Sequence, residues 1–234
     1  IEYVILNAAE CEPYLTIDYR TIKETPDKVI DGLAIECRMM GAHGIVALES
    51  NKADLRGTLN EAINKAGYAD DMDVRIVKTK YPQGCEKNLI VALTGREVPA
   101  GGLPAATGCL ISNVGTVCAV SDAFRLGKPL IERAFTVSGG ACASPKNLRV
   151  PVGTNVGDLI PEVIQLKPGE VAKIISGGPM MGFAMTNAMF PVVKGTSGVI
   201  FLTKKETFTD EESPCLGCGA CVHVCPMNLT PVMM

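Results

Sequence analysis

Residues 1–130 alternate short apolar runs with amphipathic segments of helical period, and this alternation restricts the fold more than any other feature. Strands are predicted at 3–6, 45–48, 74–77 and 109–112, and helices at 26–40, 55–66, 86–93 and up to about residue 126. The first helix has clear boundary signals, with Thr25 as N-cap, Pro26 at its first position and Gly41 beyond its end. Strands and helices that alternate at this spacing build a parallel sheet covered by helices. We therefore predict an α/β domain over residues 1–130.

The pattern changes after residue 130, where strands outnumber helices. Strands are predicted at 134–138, 148–152, 173–176 and 199–203, with a short helix at 158–164. This arrangement resembles a β-grasp unit, which we place at 131–203. The segment 177–182, Gly-Gly-Pro-Met-Met-Gly, is predicted as a tight structural crossing in which Met180 and Met181 pack rather than bind. Residues 204–234 are predicted as a polar linker, 204–213, followed by a cysteine-rich segment.

Composition excludes several classes of protein. Hydrophobic residues make up 47% of the chain and charged residues 20%, so the chain can bury a core and is not disordered. A net charge of -3 gives no basic surface for nucleic acid, and no apolar run approaches the roughly 20 residues that span a bilayer. No basic segment precedes an apolar run at the start, so no signal peptide is predicted. The 10 cysteines are therefore predicted as reduced thiols rather than as a disulfide framework.

The strongest chemical motif is a run of cysteines near the end of the chain. Its sequence is Cys215-x2-Cys218-x2-Cys221-x3-Cys225-Pro226. Four thiolates at the spacing of bacterial ferredoxins, with the trailing proline, favour a 4Fe–4S cluster over a zinc knuckle or unrelated thiols. Gly217 and Gly219 would let the loop approach the cluster closely, because a side chain there would collide with it.

The fourth cysteine of the run has two interpretations. In two-cluster ferredoxins the cysteine at this position ligates the other cluster. Cys215, Cys218 and Cys221 would then supply three ligands to one cluster, and Cys225 would supply one ligand to a second. The nine residues that follow contain no further cysteine. Either a second motif lies beyond Met234, or Cys225 or a distant cysteine completes a single cluster.

Polar residues follow the first predicted strand, in the segment 7–16. Ligands of open α/β sheets bind beyond the carboxyl ends of the strands. Asn7 would therefore hydrogen-bond the edge of a flavin or nicotinamide, and Glu10 and Glu12 would hold ribose or amide groups. A charged surface loop is the alternative that these residues leave open.

Two later segments also carry residues that could bind a ligand near the start of a helix. Gly84 permits close backbone approach at the start of a helix, whose N-terminus favours anionic groups, and Lys87 would add a cation for phosphate. The alternative is that Glu86 and Lys87 are ordinary first-turn residues of an exposed helix. Asn113 and Thr116 follow the fourth strand and either cap the next helix or bind phosphate, with capping favoured by the sequence alone.

Taken together and in this order along the chain, these segments resemble those of the C subunit of Rnf-type ion-translocating ferredoxin:NAD oxidoreductases. The resemblance covers essentially the whole chain. Besides the cysteine run, the resemblance rests on the segments 7–16, 80–87, 93–99, 113–116, 128–133 and 177–182. More distantly, the chain resembles the flavin-binding subunit of respiratory complex I. That subunit combines a Rossmann-like flavin domain with a β-grasp domain of the SLBB type.

The resemblance implies a flavin oxidoreductase that passes electrons between NAD(H), FMN and 4Fe–4S clusters, of which the full-length parent would hold two. It implies FMN contacts for Asn7, Glu10, Gly84, Glu86, Asn113 and Thr116. It also implies catalytic positions on the nicotinamide side for Glu12 and Glu86, and cluster ligation by Cys215, Cys218, Cys221 and Cys225. Cys11 and Cys85 lie at variable positions within the flavin segments; they are either redox-active thiols or, as we predict, small buried filler.

The family also implies partners and a location. Other subunits of a membrane electron-transport complex would bind the chain and connect it to ferredoxin, and the chain would be peripheral on the cytoplasmic side of the bacterial cell membrane. The family's Gly-Gly-Ala-Gly-Phe-Pro-Thr loop, which contacts the flavin phosphate, would precede Ile1. The second cluster motif would follow Met234, so we interpret the chain as a central fragment that is inactive in isolation.

Two alternatives to a membrane-complex subunit stay open. The first is a soluble relative on the same scaffold, such as a cobalamin-reducing flavoprotein or an electron donor to an amino-acid reductase. The second is a docking module without activity, in which the β-grasp unit binds a partner and the α/β domain is a structural platform.

Overall fold

Two β-sheets organise the residues that the structure describes, which in this computed structural model are 1–207, 211, 213–225 and 229–233. The strands of the first sheet are β1 (Tyr3–Ala8), β2 (His43–Glu49), β3 (Met72–Val77) and β4 (Cys109–Asn113). They are parallel throughout and lie in the order β3-β2-β1-β4. The strands of the second sheet are β5 (Glu132–Ser138), β6 (Lys146–Pro151), β7 (Lys173–Ser176), β8 (Phe183–Met185) and β9 (Gly198–Leu202). This sheet is mixed, in the order β6-β5-β9-β7-β8.

The helices lie mainly in the first half of the chain. They are α1 (Ile17–Glu24), α2 (Pro26–Met40), α3 (Leu55–Ala66), α4 (Glu86–Thr94), α5 (Val114–Leu126) and α6 (Ala220–Val224). Short 3-10 turns occupy 50–52, 104–107, 156–159, 204–206 and 231–233. In the described part of the chain, every helix is too short or too polar to cross a lipid bilayer. The predicted α/β half with a parallel sheet, followed by a second β-rich unit, is confirmed; the domain boundaries at 130 and 203 stay predictions.

Apolar side chains cover both faces of the parallel sheet, as expected for strands that are flanked by helices. Val4 and Leu6 of β1 pack in one core with α2, α3 and α5, while Ile5 points to the opposite face and packs with Leu89 and Ile90 of α4. The alternation follows from the two-residue period of a strand. β1 therefore lies at the centre of the sheet, buried on both faces and paired on both edges.

The boundaries of α2 agree with the sequence signals, apart from one contact. Pro26 begins the helix after Thr25, and Gly41 ends it with a positive φ of 62°. The Thr25 hydroxyl does not cap the helix, because it donates instead to the carbonyl of Thr21 in the preceding helix. That preceding helix, α1, was not predicted.

The loop between β1 and α1 connects the two sheets. Leu15 packs against the apolar residues Ile175, Ile200 and Leu202 on the second sheet. The Thr16 amide donates to the Thr136 hydroxyl at 3.0 Å, and the Ser138 hydroxyl donates to the Tyr14 carbonyl at 2.8 Å. The segment that carries the candidate acidic residues is thus held from both halves of the chain.

Two predicted features of the second half are wrong. The helix predicted at 158–164 is a 3-10 turn at 156–159, because Pro161 lacks a backbone donor and disfavours helical geometry at Ile160, which is extended. Met180 and Met181 do not pack in a core; their side chains are 53% and 73% exposed.

The structure also refines the predicted linker at 204–213. Its first residues form a turn with a capping box, and the Glu206 carboxylate accepts hydrogen bonds from the Gly140 amide and the Tyr14 hydroxyl. Residues 204–206 are therefore fixed against both halves of the chain. Residues 208–210 and 212 of the predicted linker lie outside the described residues.

We expect the close contact between α2 and α5 to tolerate no side chain at Gly32. A Cβ atom there would lie 1.9 Å from the Val117 backbone oxygen, so Gly32→Ala must push the two helices apart. Overpacking of this kind costs about 1–3 kcal/mol, and urea-induced unfolding followed by circular dichroism should report a loss in this range or above it.

The matched control is Gly57→Ala on α3. A Cβ atom at Gly57 would meet nothing within 4 Å, and the site is an exposed helical position. Alanine there should stabilise the chain by about 0.5–1 kcal/mol. Equal effects of the two substitutions would contradict the close packing of α2 on α5.

Candidate functional site

The carboxyl ends of β1, β2 and β3 border a cleft of about 480 Å³. Its walls are the loop 10–16 after β1, the segment 49–54 at the end of β2, the residues 79–81 after β3, and Tyr19 of α1. Open α/β sheets bind ligands outside the carboxyl ends of their strands, and ligand pockets commonly measure about 300–1,000 Å³. Position and size both suit a nucleotide-sized ligand.

Glu10 anchors the N-terminus of α1. Its carboxylate accepts hydrogen bonds from the backbone amides of Asp18 at 2.7 Å and Tyr19 at 3.3 Å, two groups that would otherwise lack partners at the helix start. Burial raises the pKa of Glu10 to about 7, and the Asp18 carboxylate adds to the rise, while the two amides and the Lys52 ammonium oppose it. A carboxyl group that titrates near neutral pH in a cleft is a functional-site candidate.

Backbone strain is concentrated in the same loop. Among the described residues, the non-glycine residues with positive φ are Glu10 at 45° and Tyr14 at 69°. Such conformations cost about 1–3 kcal/mol each and persist only where surrounding contacts enforce them. The loop is therefore held in one shape by its neighbours.

Lys52 and Glu49 are a buried pair at the end of β2, and sequence reasoning missed both. The Lys52 ammonium donates to the carbonyls of Ala9 at 2.7 Å and Glu10 at 3.2 Å, and lies 3.6 Å from the Glu49 carboxylate. Glu49 is 1% exposed; burial raises its pKa, and Lys52 opposes the rise. Two charged residues directly after a buried strand, in Glu49-Ser50-Asn51-Lys52, were the signal that was available.

Asn7 joins the loop after β1 to the turn before α4. Its side-chain amide donates to the Gly84 carbonyl at 2.8 Å, and its oxygen accepts from the Ala9 amide at 3.3 Å. A Cβ atom on Gly84 would lie 3.0 Å from the Cys11 sulfur, so glycine permits this approach. The structure thus brings together Asn7 and Gly84, which the sequence placed in separate segments.

Asn113 is the N-cap of α5, as favoured by the sequence. Its side-chain oxygen accepts from the Gly115 amide at 2.9 Å, and its amide donates to the Asp18 carboxylate at 2.8 Å. Burial raises the pKa of Asp18, and Asn113 and Arg133 oppose the rise. Asn113 also lies opposite Asn7 in the pairing of β1 with β4.

The predicted site residues occupy three kinds of position. Glu10 and Glu12 line the cleft, and Asn7 and Gly84 contact each other behind its loop. The walls of the cleft do not include Glu86, Asn113 or Thr116; Glu86 and Thr116 are exposed first-turn residues of α4 and α5. The flavin and nicotinamide roles of all these residues stay predictions.

Glu12 contacts the turn 177–182 of the second sheet. Its carboxylate accepts hydrogen bonds from the backbone amides of Met180 at 2.8 Å and Met181 at 3.1 Å. A Cβ atom on Gly178 would lie 2.0 Å from the same carboxylate, so glycine is required for this contact. The turn between β7 and β8 is therefore more than a structural crossing, because its backbone binds a residue of the cleft.

The cysteine run offers thiols to solvent. Cys215, Cys218 and Cys221 are exposed and Cys225 is half-buried. The Gly217 amide donates to the Cys215 sulfur at 3.4 Å, and the Leu229 amide donates to the Cys225 sulfur at 3.4 Å. Among the described residues, no three His, Cys, Asp or Glu side chains converge as a metal site. The donor set fits an iron–sulfur cluster in its chemistry, while the four sulfurs are not gathered around one centre.

Gly217 and Gly219 have positive φ values of 69° and 71°. A Cβ atom on Gly217 would meet no protein atom within 4 Å, so within the protein itself it is the positive φ that favours glycine. That a side chain at this position would collide with a cluster stays a prediction.

The two cysteines of the flavin segments differ in environment. Cys85 is exposed, so the prediction of buried filler is wrong for this residue. Cys11 is partly buried, and burial raises the pKa of its thiol, which disfavours a reactive thiolate.

Comparison with known proteins gives one family match and several relatives. The profile of the Nuo51 FMN-binding domain family matches residues 1–122. The chain is 48% identical to the C subunit of the proton-translocating ferredoxin:NAD(+) oxidoreductase complex of Clostridium ljungdahlii, over 100% of this chain and 50% of that protein. It is 40% identical to the C subunit of the Na(+)-translocating ferredoxin:NAD(+) oxidoreductase complex of Acetobacterium woodii, over 99% of this chain and 52% of that protein. The chain thus spans about half the length of these relatives.

A solved structure supports the fold. The chain superposes with a TM-score of 0.72 on a NAD+-reducing NiFe hydrogenase in its H2-reduced state, with 21% sequence identity. The match covers 87% of this chain and 41% of the hydrogenase chain. At this identity the likeness concerns the fold alone, and it confirms the Rossmann-like α/β prediction.

Glu10 should give the stability of the chain a characteristic pH dependence. The native carboxyl keeps its proton up to about pH 7, whereas its ordinary pKa is 4.5, so the native state binds more protons between these values. Stability therefore falls as pH rises from 4.5 to 7, and Glu10→Gln, which mimics the protonated form, should remove this contribution. Between pH 4.5 and pH 7, the free energy of unfolding of the variant should therefore rise by about 2–3 kcal/mol relative to that of wild type. This figure is below the full value of the pKa shift because solvent screens part of the interaction.

The measurement is urea unfolding at several pH values. Glu61→Gln on the exposed side of α3 is the control and should leave the pH dependence of wild type unchanged. A difference between Glu10→Gln and wild type that is constant with pH would contradict the raised pKa.

Proposed function

The chain belongs to the Nuo51 FMN-binding domain family, and from this premise we propose that it binds FMN at the cleft beyond β1, β2 and β3. We further propose that it passes electrons between NAD(H), this flavin and 4Fe–4S clusters, as an electron-transfer subunit of a ferredoxin:NAD oxidoreductase. The supporting observation is that the cleft lies within the part of the chain that matches the FMN-binding family. The family match covers residues 1–122, and the cleft walls at 10–19, 49–54 and 79–81 lie entirely inside it.

The residues present fit a flavin in several ways. The cleft lies at the expected edge of the sheet, its volume is in the usual range for ligand sites, and the buried Glu49 carboxylate oxygen Oε1 has no hydrogen-bond partner among the described residues. We propose that FMN is held by Glu10 in the cleft and by Asn7, Gly84, Glu86, Asn113 and Thr116 outside its walls, so the bound flavin nucleotide would extend beyond the cleft along the carboxyl ends of β1 and β4. Asn7 and Asn113 end adjacent strands, so their side chains fix the backbone from which Glu10 and Gly84 would bind.

When bound, FMN supplies the ability to accept two electrons as a hydride and release them singly. Glu12 and Glu86 would face the nicotinamide. What supports this role for Glu12 is that it lines the cleft and that its carboxylate accepts hydrogen bonds from two backbone amides of the turn between β7 and β8. A carboxylate held in this way orients an amide-bearing ligand without reorganising.

The cysteine run would hold the iron–sulfur chemistry. Cys215, Cys218 and Cys221 would ligate one 4Fe–4S cluster, and Cys225 would ligate a second cluster or complete the first. Backbone amides that donate to the sulfurs of Cys215 and Cys225 are contacts of the kind that tune such clusters.

The partners follow from the same proposal. The relatives are subunits of ion-translocating complexes, and we propose that this chain binds other subunits of a membrane-associated complex and reaches ferredoxin through them. It would be peripheral, on the cytoplasmic side of a bacterial cell membrane. Co-purification with integral membrane subunits would separate this assignment from a soluble flavoprotein on the same scaffold.

Reconstitution of the full-length parent protein tests the cofactors. Under anoxic conditions with FMN, iron and sulfide, we expect bound flavin and a broad iron–sulfur absorption in the visible range. Cys218→Ser should lower the iron content and leave the flavin content unchanged, because Cys218 lies in the cluster motif. Cys85→Ser, at another exposed cysteine, should change the iron content little. Wild-type protein that retains neither flavin nor iron would refute the proposal.

Glu12→Gln tests the nicotinamide side. Glutamine keeps an acceptor for the amides of Met180 and Met181 but loses the charge. We expect the rate constant for flavin reduction by NADH, measured by stopped-flow absorption, to fall about tenfold or more, with flavin content unchanged. Glu162→Gln, at an exposed glutamate of the second half, is the control. Wild-type reduction kinetics in Glu12→Gln would count against a role for this carboxylate.

A further inference from the structure

A buried ammonium group lies directly behind the acidic loop and has no part in the proposed flavin or nicotinamide contacts. Lys52 is 9% exposed, which is unusual for a lysine. Its Nζ atom lies 2.7 Å from the Ala9 oxygen and 3.2 Å from the Glu10 oxygen, and 3.5 Å from the side-chain oxygen of Asn51. The three donors of the ammonium are therefore directed at the chain itself rather than at solvent.

The two carbonyls need a donor because they lie beyond the end of β1. Within the strand, backbone groups are satisfied by β2 and β4, but the ladder ends at Ala8. Glu10 then adopts a positive φ of 45°, a strained conformation for a side chain other than glycine. A single cation that binds the carbonyls of Ala9 and Glu10 favours this bend over the extended alternatives.

The bend determines where two carboxylates of the loop point. The Glu10 carboxylate reaches the amides at the start of α1, and two residues later the Glu12 carboxylate reaches the amides of Met180 and Met181. If the bend relaxes, the backbone of Glu10 rotates and both carboxylates move. Lys52 is thus connected to the cleft through the backbone of Ala9 and Glu10.

Glu49 completes the arrangement as the counter-ion. Its carboxylate lies 3.6 Å from Lys52, it is 1% exposed, and its Oε1 atom has no hydrogen-bond partner among the described residues. A carboxylate in this position is costly unless a cation is close. The three N–H donors of the Lys52 ammonium suffice for the two carbonyls and the Asn51 oxygen together, and its charge offsets that of Glu49.

We propose that Lys52 is a positioning residue of the cleft, a buried ammonium that holds the carbonyls of Ala9 and Glu10 and thereby sets the orientation of Glu10 and Glu12 towards a bound flavin nucleotide. The proposal rests on the proposed function only for its ligand. The competing account is that Lys52 serves solely to neutralise Glu49, in which case removal of both charges would be harmless.

Three variants of the full chain separate these accounts. Lys52→Met removes the ammonium and leaves Glu49 buried without its cation, so the melting temperature should fall. In the double variant Glu49→Gln with Lys52→Met both charges are absent, and the melting temperature should recover, because neutral replacements of a buried ion pair are often tolerated. Lys78→Met, at an exposed lysine after β3 that does not line the cleft, is the matched control.

Two readouts report on positioning. The first is the dissociation constant for FMN, measured by fluorescence quenching; it should rise about tenfold or more in both Lys52 variants and stay within about twofold of wild type in Lys78→Met. The second needs no flavin: hydrogen exchange of the Asp18 and Tyr19 amides, which Glu10 caps, should become about tenfold faster in both Lys52 variants. In Lys78→Met it should be unchanged.

The double variant decides the outcome. If it regains wild-type stability together with wild-type FMN affinity and wild-type exchange at Asp18 and Tyr19, Lys52 only neutralises Glu49 and the proposal is overturned. If the wild-type full-length parent protein binds no FMN, the proposed function fails, and the exchange rates alone then support or overturn the positioning role of Lys52.

Discussion

The central position of β1 is the constraint on which the site depends. β1 is paired with β2 on one side and β4 on the other, and Val4, Ile5 and Leu6 are completely buried. The chain that leaves this strand must therefore emerge in the middle of the sheet's carboxyl edge, between loops that follow the neighbouring strands. Polar side chains there are surrounded by protein on several sides, and each needs a partner supplied by another element.

Burial changes the pKa values of the carboxyl groups at the carboxyl edge of the first sheet. Burial raises the pKa values of Glu10, Asp18 and Glu49, and the cations that oppose the rise are Lys52 and Arg133. These acidic groups occur within one small region, and two of them border the cleft. A carboxyl group whose pKa is raised in this way either takes up a proton or accepts hydrogen bonds from N–H groups, because an unpaired charge in a low-dielectric site is costly.

Sequence patterns predicted the parts of the fold that local chemistry determines. Pro26 and Gly41 bound α2 because proline and glycine act on the backbone directly, and buried strands were visible as apolar runs. The patterns did not predict whether a residue is buried or exposed where a contact with a distant part of the chain determines it. The neighbours of Lys52 in the sequence are those of a surface lysine. Its burial follows from hydrogen bonds to the carbonyls of Ala9 and Glu10, which are 43 and 42 positions away in the chain. Met180 and Met181 are apolar yet exposed, and the groups by which they contact Glu12 are their backbone amides.

The same loop also links the cleft to the cysteine-bearing end of the chain. Glu12 binds the turn of the β7–β8 hairpin, and two residues later the Tyr14 hydroxyl donates to Glu206 at 2.7 Å, shortly before the cysteine run begins. Tyr14 has the second strained φ of the loop, and its carbonyl is held by Ser138 of β5. Contacts alone do not transmit a signal, but they fix geometry. In the proposed electron-transfer function, the loop 7–16 would therefore hold the cleft in a fixed position relative to the second sheet and the segment 204–206.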